Sequence, residues 1–233
     1  VLFFGASPTM TISPHVLKSM PFDTLRDLAP IAPILSYANM LVVNKDQPFR
    51  NVAELTAYAR ANPGKVSYGS AGMGGSNHLS GELFAKRVGA QLTHVPYKGN
   101  APAMTDVVGG QLTMMFDIVG TARNYVNSGR VRALAVTSRE RNPSVPDVPT
   151  LRESGVDFEV GGWHGLYGPP QLPADQVHRL NEATRRALAQ EELRGKLVEQ
   201  GYDLWIGSPQ TLAERATREL SLWGGVTQGM KFD

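Results

Sequence analysis

The 233-residue chain has no cysteine, which excludes disulfides and thiolate chemistry and is compatible with an oxidising compartment. No apolar run approaches the roughly 20 residues that a membrane-spanning helix needs, and no charged-then-apolar leader opens the chain. An excess of one charge is also lacking: 23 Lys and Arg against 21 Asp and Glu leave a net +2, with the basic residues scattered rather than gathered on a stripe. Nucleic acid is therefore not an expected partner. What is present, 42% hydrophobic and 19% charged residues, suffices to bury a core in one large or two small domains.

Several glycine codes are absent as well. A dinucleotide fingerprint G-x-G-x-x-G starting at Gly72 would need glycine where Asn77 stands, and the G-K-[ST] ending of a phosphate loop is missing. A nucleophile elbow fails because Ser70 stands one residue too early between Gly69 and Gly72. Yet residues 68–78, Tyr-Gly-Ser-Ala-Gly-Met-Gly-Gly-Ser-Asn-His, form the most distinctive stretch of the chain. A short strand, 66–68, leads in, and Leu79, Leu83, Phe84 and Val88 follow at helical spacing, which predicts a helix from about Ser76. A helix start offers amides without intrahelical partners and a partial positive charge, so the stretch reads as an anion seat. Gly72, Gly74 and Gly75 would let a ligand approach the backbone and let φ turn positive. Ser70 and Ser76 could add hydroxyls. The alternatives are a glycine loop that only turns sharply and a helix capped by Ser76.

Along the rest of the chain, residues 1–4 read as a buried strand, so a further N-terminal portion is expected ahead of them. Strands are predicted at 31–34, 40–43, 92–95, 112–116 and 133–137, with helices at 51–62, 101–108 and 121–127 between or beside them. This alternation predicts parallel pairing with right-handed crossovers. Thr150 to Glu153 spells a capping box that should open a short helix. Residues 158–168, with Trp163, His164 and Tyr167, predict a long strand or strand pair. Helices at 174–190 and 192–200, a strand at 203–206 and a final helix capped by Ser208 close the chain, the last burying Leu212, Ala216, Leu220 and Trp223. No internal repeat or low-complexity tract is present.

Taken together, Tyr68 to Gly74, His78-Leu79, Glu82-Leu83-Phe84, His94-Val95-Pro96-Tyr97-Lys98-Gly99, Pro102-Ala103, Asp106 and Gly110-Gln111 carry a family pattern. So do Pro21-Phe22-Asp23, Asp27-Leu28-Ala29-Pro30, residues 132–137, 146–150 and 163–166. The chain resembles the Bug (TctC-like) substrate-binding proteins of tripartite tricarboxylate transporters over nearly its whole length. That resemblance implies an α/β, two-lobed periplasmic-binding-protein (Venus flytrap, type II) fold with two hinge crossings. It implies lobe one from residues 1–45 and 168–233, and lobe two from 46–167. It further implies a periplasmic, monomeric receptor without cofactor or metal, whose partners are a small carboxylate and membrane permease subunits. Such proteins begin with a signal peptide, a first strand and a ligand-facing glycine loop, which this chain does not show.

Family ligands are held largely by main-chain amides, hydroxyls and bridging waters. The expected ligand-binding residues are therefore Ser70, Ala71, Gly72, Gly74, Gly75, Ser76, Asn77 and His78 of the glycine stretch. Tyr97, Lys98 and Gly99 add a second loop at a strand's carboxyl end. Asp117 could accept from a water, an ammonium or an amide, or cap the following helix. Trp163 could wall the cleft or serve as core, and Ser7 could face the ligand from lobe one. At Gly75 relatives often carry Ser or Thr. A rival reading is an α/β enzyme acting on a carboxylate with His78 or Asp117 as general acid/base, although no nucleophile–base pair or cofactor fingerprint is evident in the sequence. A sensor domain for a signalling partner is a third.

Overall fold

The computed structural model describes residues 1–228. Its longest element is strand β2, Ala29–Asn44, where two strands are predicted. One forms because no proline or glycine interrupts residues 34–44 and both halves find partners. Leu35 and Ser36 pair with Leu204 and Asp203 of β8, Asp203–Leu204. Residues 39–43 pair with β5, Met114–Ile118. The chain divides into two units, Val1–Ser36 with Gly162–Asp233 and Tyr37–Gly161. It therefore passes between them twice, once within β2 and once at the head of β7, Gly161–Gly168.

In the unit formed by Tyr37–Gly161, β3 (Ser67–Ser70), β4 (Thr93–Pro96) and β5 pair in parallel, with β3 in the centre. The second half of β2 joins β5, and β6 (Val131–Val136) joins β2 on its other side. Both of these pairings are antiparallel, so β6 runs in the same direction as β3, β4 and β5, as expected, and β2, inserted between β5 and β6, alone runs against them. The reason is that β2 is not a strand of a β–helix–β repeat: it arrives as the continuation of an extended segment already paired upstream.

Helices α3 (Ser76–Val88), α4 (Asn100–Val108) and α5 (Val119–Asn127) follow β3, β4 and β5 within a few residues. Side chains alternate between the sheet faces. Met115, with Met40 and Val42, meets Ala103, Met104 and Val107 of α4 and Val119 and Ala122 of α5. Phe116, on the other face, meets Phe84 of α3 edge to face, with centroids 5.9 Å apart. Leu79, Leu83, Phe84 and Val88 are all buried, as their spacing predicts. Helix α2, Val52–Ala61, is capped by Asn51, whose side chain accepts from Glu54 N, while Glu54 Oε2 accepts from Arg50 N.

The Thr150 capping box forms, with Glu153 N donating to Thr150 Oγ1 at 3.0 Å and Thr150 N to Glu153 Oε2 at 2.7 Å. It closes a turn rather than opening a helix. Gly155, at φ +83°, ends the segment before an α-helical ladder accumulates, and a short helix is not stable by local bonds alone.

In the other unit, β1 (Phe3–Ala6) pairs antiparallel with β7, and β7 neighbours β2. Phe4 is 55% exposed and stacks on His164 at 4.9 Å, so the opening strand is not buried throughout: alternate residues point outward. A π-helical turn, Pro8–Ile12, continues into the helical turn α1, Ser13–Val16. Met10, Trp163 and Tyr167 pack with Leu212 and Ala216 of α8, Pro209–Thr227. Ser208 caps α8 through a reciprocal box with Thr211. Helices α6, Ala174–Leu188, and α7, Glu191–Glu199, lie within two residues of their predicted spans. Among the described residues no helix is long and apolar enough to cross a membrane.

Candidate ligand-binding site

The parallel order of β3, β4 and β5 sets three helix starts at one edge of the sheet, beyond the strands' carboxyl ends, which is where open α/β sheets take ligands. The edge is organised by β3. Its register with β5, Gly69 beside Met115, places Ala71 level with Asp117. Its register with β4 places Ser70 beside Pro96, and Tyr97 N donates to Ser70 O at 3.0 Å. The glycine stretch, the loop through Lys98 and Asp117 are therefore brought together inside one unit.

Between β3 and α3 the backbone turns at Gly72 (φ +132°) and Gly74 (φ +74°), conformations that L side chains rarely adopt. Gly75 differs: at φ −73° and ψ 163° it is the N-cap of α3 and makes no side-chain cap. The first i→i−4 bond of the helix runs from Leu79 N to Gly75 O at 3.0 Å, so the amides of Ser76 and Asn77 lie ahead of the ladder with the helix's partial positive charge behind them. Ala71, Gly72 and Gly75 are half-buried, and Met73 is exposed.

The side chains beneath hold this turn in place. Ser70 is fully buried. Its Oγ lies 3.1 Å from Gly72 O, 3.2 Å from Gly72 N and 2.7 Å from His94 Nε2. All three contacts are satisfied when Ser70 donates to the carbonyl and accepts from both nitrogens, so His94 carries its proton on Nε2. The hydroxyl is engaged by the turn, where the sequence expectation has it facing a ligand. The pair is not a nucleophile with its base, since His94 would be donating to an oxygen with no exposed surface. Gly74 N donates to His78 Nδ1 at 3.1 Å, which puts the His78 proton on Nε2, 4.0 Å from Glu82 Oε1. The His78 and His94 rings lie 4.2 Å apart. Burial holds both neutral, with pKa values lowered to about 4, the neighbouring ring adding to the effect at His94. Tyr68 stacks on His94 at 4.9 Å and donates to Glu82 Oε1 at 2.5 Å.

Asn77 donates from Nδ2 to Phe116 O at 2.7 Å and so ties the first turn of α3 to the peptide before Asp117. Asp117 is fully buried. Its Oδ1 accepts from Asn100 Nδ2, the first residue of α4, at 2.5 Å and from Ile118 N at 2.8 Å. Burial raises its pKa to about 6, against those two bonds, which pull it down. Tyr97 donates from its hydroxyl to Asp106 Oδ2 at 2.5 Å, Lys98 is exposed, and Gly99 (φ +118°) is the N-cap of α4.

Two expected site residues lie in the other unit. Ser7 Oγ accepts from Trp163 N at 3.1 Å. Trp163 is 0% exposed, donates from Nε1 to Glu219 Oε2 at 2.7 Å and meets Trp205 edge to face. Its ring packs in the core of that unit. Sequence reasoning missed His94, Glu82 and Tyr68 as supports of the turn, and Asn100 as the partner of Asp117; the first three stand in the quoted motifs and Asn100 directly follows one, but no local periodicity links them.

The model of the family described as "Tripartite tricarboxylate transporter family receptor" (TctC) matches residues 2–231. The chain belongs to this family. It is 39% identical over 206 residues to the "UPF0065 protein in tcbD-tcbE intergenic region" of Pseudomonas sp. (strain P51), covering 88% of this chain and 61% of that protein. The chain thus spans less than two thirds of that relative's length. Among solved structures, the TctC chain is similar to Rpa4515 of R. palustris with adipate, with a TM-score of 0.89 and 32% identity, over 97% of this chain and 76% of that one. It is also similar to MatC (Rpa3494) from Rhodopseudomonas palustris with bound malate, with a TM-score of 0.85 and 30% identity, over 97% and 78%. The α/β, two-lobed periplasmic-binding-protein fold expected from the sequence is therefore the fold of this chain.

Proposed function

We propose that this chain is an extracytoplasmic solute receptor that binds a small carboxylate at the glycine turn and delivers it to the permease subunits of a tripartite transporter, without chemical change to the ligand. The observation that carries this reading is the junction of main-chain donors at one sheet edge: the turn through Gly72 and Gly74, the open amides of Ser76 and Asn77, and the start of α4 at Gly99. A carboxylate seated there satisfies amides that the helix cannot. One helix end contributes about 0.3–1 kcal/mol when exposed and up to about 2 kcal/mol when partly buried, so several converging donors are needed for useful affinity. Adipate and malate on the R. palustris relatives support the carboxylate class. Family membership supports the periplasmic setting and the permease partners, with the two chain passages serving as the hinge through which binding is reported.

The test is a thermal-shift and calorimetric panel of mono-, di- and tricarboxylates, acidic amino acids and aromatic acids against the purified chain. A ligand at one hundred times its Kd stabilises by about 2.7 kcal/mol, roughly 5–10 °C for a chain of this size. One small acid should produce that rise and be recovered unchanged. No shift across the panel, or recovery of a converted product, would overturn the proposal.

A further inference from the structure

Asp117 has a second oxygen for which the carboxylate-receptor reading has no use. Oδ1 is fully engaged by Asn100 Nδ2 and Ile118 N. Oδ2 is buried and, among the described residues, has no hydrogen-bond partner. A buried carboxylate oxygen without a donor is costly, and native structures rarely leave one so. Its position is specific: level with Ala71 across the β3–β5 register, one residue beyond the carbonyl that receives Asn77, and bonded to the first residue of α4. The surrounding main chain offers donors, which suit an anion. Asp117 Oδ2 is the opposite, an acceptor, and an acceptor beside an anion seat repels a second carboxylate while attracting a group that brings a proton.

We propose that Asp117 Oδ2 is a specificity-determining acceptor for a hydrogen-bond donor on the ligand, a hydroxyl or an ammonium close to the carboxylate that the α3 turn holds. The ligand class then narrows from carboxylic acids in general to hydroxy- or amino-carboxylic acids. A site built around a ligand donor rejects the analogue that lacks it, because the buried acceptor is left unpaired. Asn100 acts here as a positioning residue: its bond to Oδ1 fixes the carboxyl plane and so the direction of Oδ2.

This inference rests on the proposed carboxylate site, and the experiment separates the two. Affinities of the full chain are measured calorimetrically for matched sets that differ only in the donor: succinate, malate and aspartate, and adipate, 2-hydroxyadipate and 2-aminoadipate. In whichever set binds, the hydroxy or amino member should bind at least about tenfold more tightly than the plain dicarboxylate. Asp117→Ala should bring that ratio close to one. Asp117→Asn places an NH2 where Oδ2 stood, so it should penalise the amino ligand while tolerating the hydroxyl, which can accept as well as donate; the two donor sources are thereby told apart. Wild-type protein alone decides the matter should a variant not fold. Equal or tighter binding of the plain dicarboxylate to wild type, or a donor preference that survives Asp117→Ala, overturns the inference and leaves the receptor reading standing. Absence of binding in both sets, together with no thermal shift across the wider panel, overturns both.

Discussion

Replacing Asp117 by asparagine removes a buried charge while keeping the shape of the side chain, and the consequence is readable as a pH profile. Burial lifts this carboxyl from 3.8 to about 6. Between those values the folded protein holds the proton more tightly than the unfolded chain, so unfolding free energy falls as pH rises through the window and the loss is complete above about pH 7. The rise corresponds to about 3 kcal/mol. His78 and His94 act with the opposite sign: burial lowers both from 6.5 to about 4, so the unfolded chain takes up protons first and stability falls as pH drops below 6.5. The two effects overlap, and the wild-type profile by itself conceals Asp117. The difference between wild type and Asp117→Asn isolates it. In urea unfolding at pH 4, 5, 6 and 7, the variant's stability relative to wild type should rise by about 2 kcal/mol from the acid end to the neutral end, the rest of the change lying below pH 4. The unpartnered NH2 of the new side chain costs the same at each pH and shifts the curve without tilting it. A difference curve flat to about 0.5 kcal/mol would refute the claim that ionised Asp117 is buried without full compensation.

Three further substitutions test the turn and its supports. Gly72→Ala, at φ +132°, should lower unfolding free energy by about 1–3 kcal/mol and abolish the ligand-induced thermal shift; calorimetry and melting on one preparation check both. Gly75→Ser is the contrasting case, because its extended backbone suits a cap and an added Cβ meets only ordinary contacts at 3.6 Å or more, so denaturant unfolding should show a gain of about 0.5–1 kcal/mol. Gly81→Ala would set a methyl 2.2 Å from Tyr68 Cε2, an overlap with a buried ring that should destabilise by about 1–3 kcal/mol or more. Combining it with Tyr68→Leu should recover part of that loss, and strict additivity in the double mutant would show that the two groups do not meet.

Much of the local architecture was legible from residue order because it depends on neighbours within a helical turn. The buried stripe Leu79, Leu83, Phe84 and Val88, the caps at Asn51 and Ser208, the start of α3 at Ser76 and the left-handed glycines 72 and 74 all follow from periodicity and from what a Cβ permits. The motifs that carry the family resemblance were legible in the same way, as short strings in a fixed order. Local signals misled where a partner distant in sequence decided the outcome. Residues 35–39 became strand because β8 and β5 pair with β2, and the Thr150 box formed its bonds without a helix.

Residue order by itself therefore determined that a glycine turn opens a helix beside a strand and that the backbone there offers donors. Tertiary structure alone decided which side chains face those donors. Ser70 turned inward to His94, Trp163 was sealed in a core, and Asp117 came level with Ala71 through the register of two parallel strands. Backbone preferences act over a few residues and are written in the sequence. A contact such as Asn100 with Asp117 depends on strand order and register, and these are settled only when the whole sheet closes its hydrogen bonds and buries its faces together.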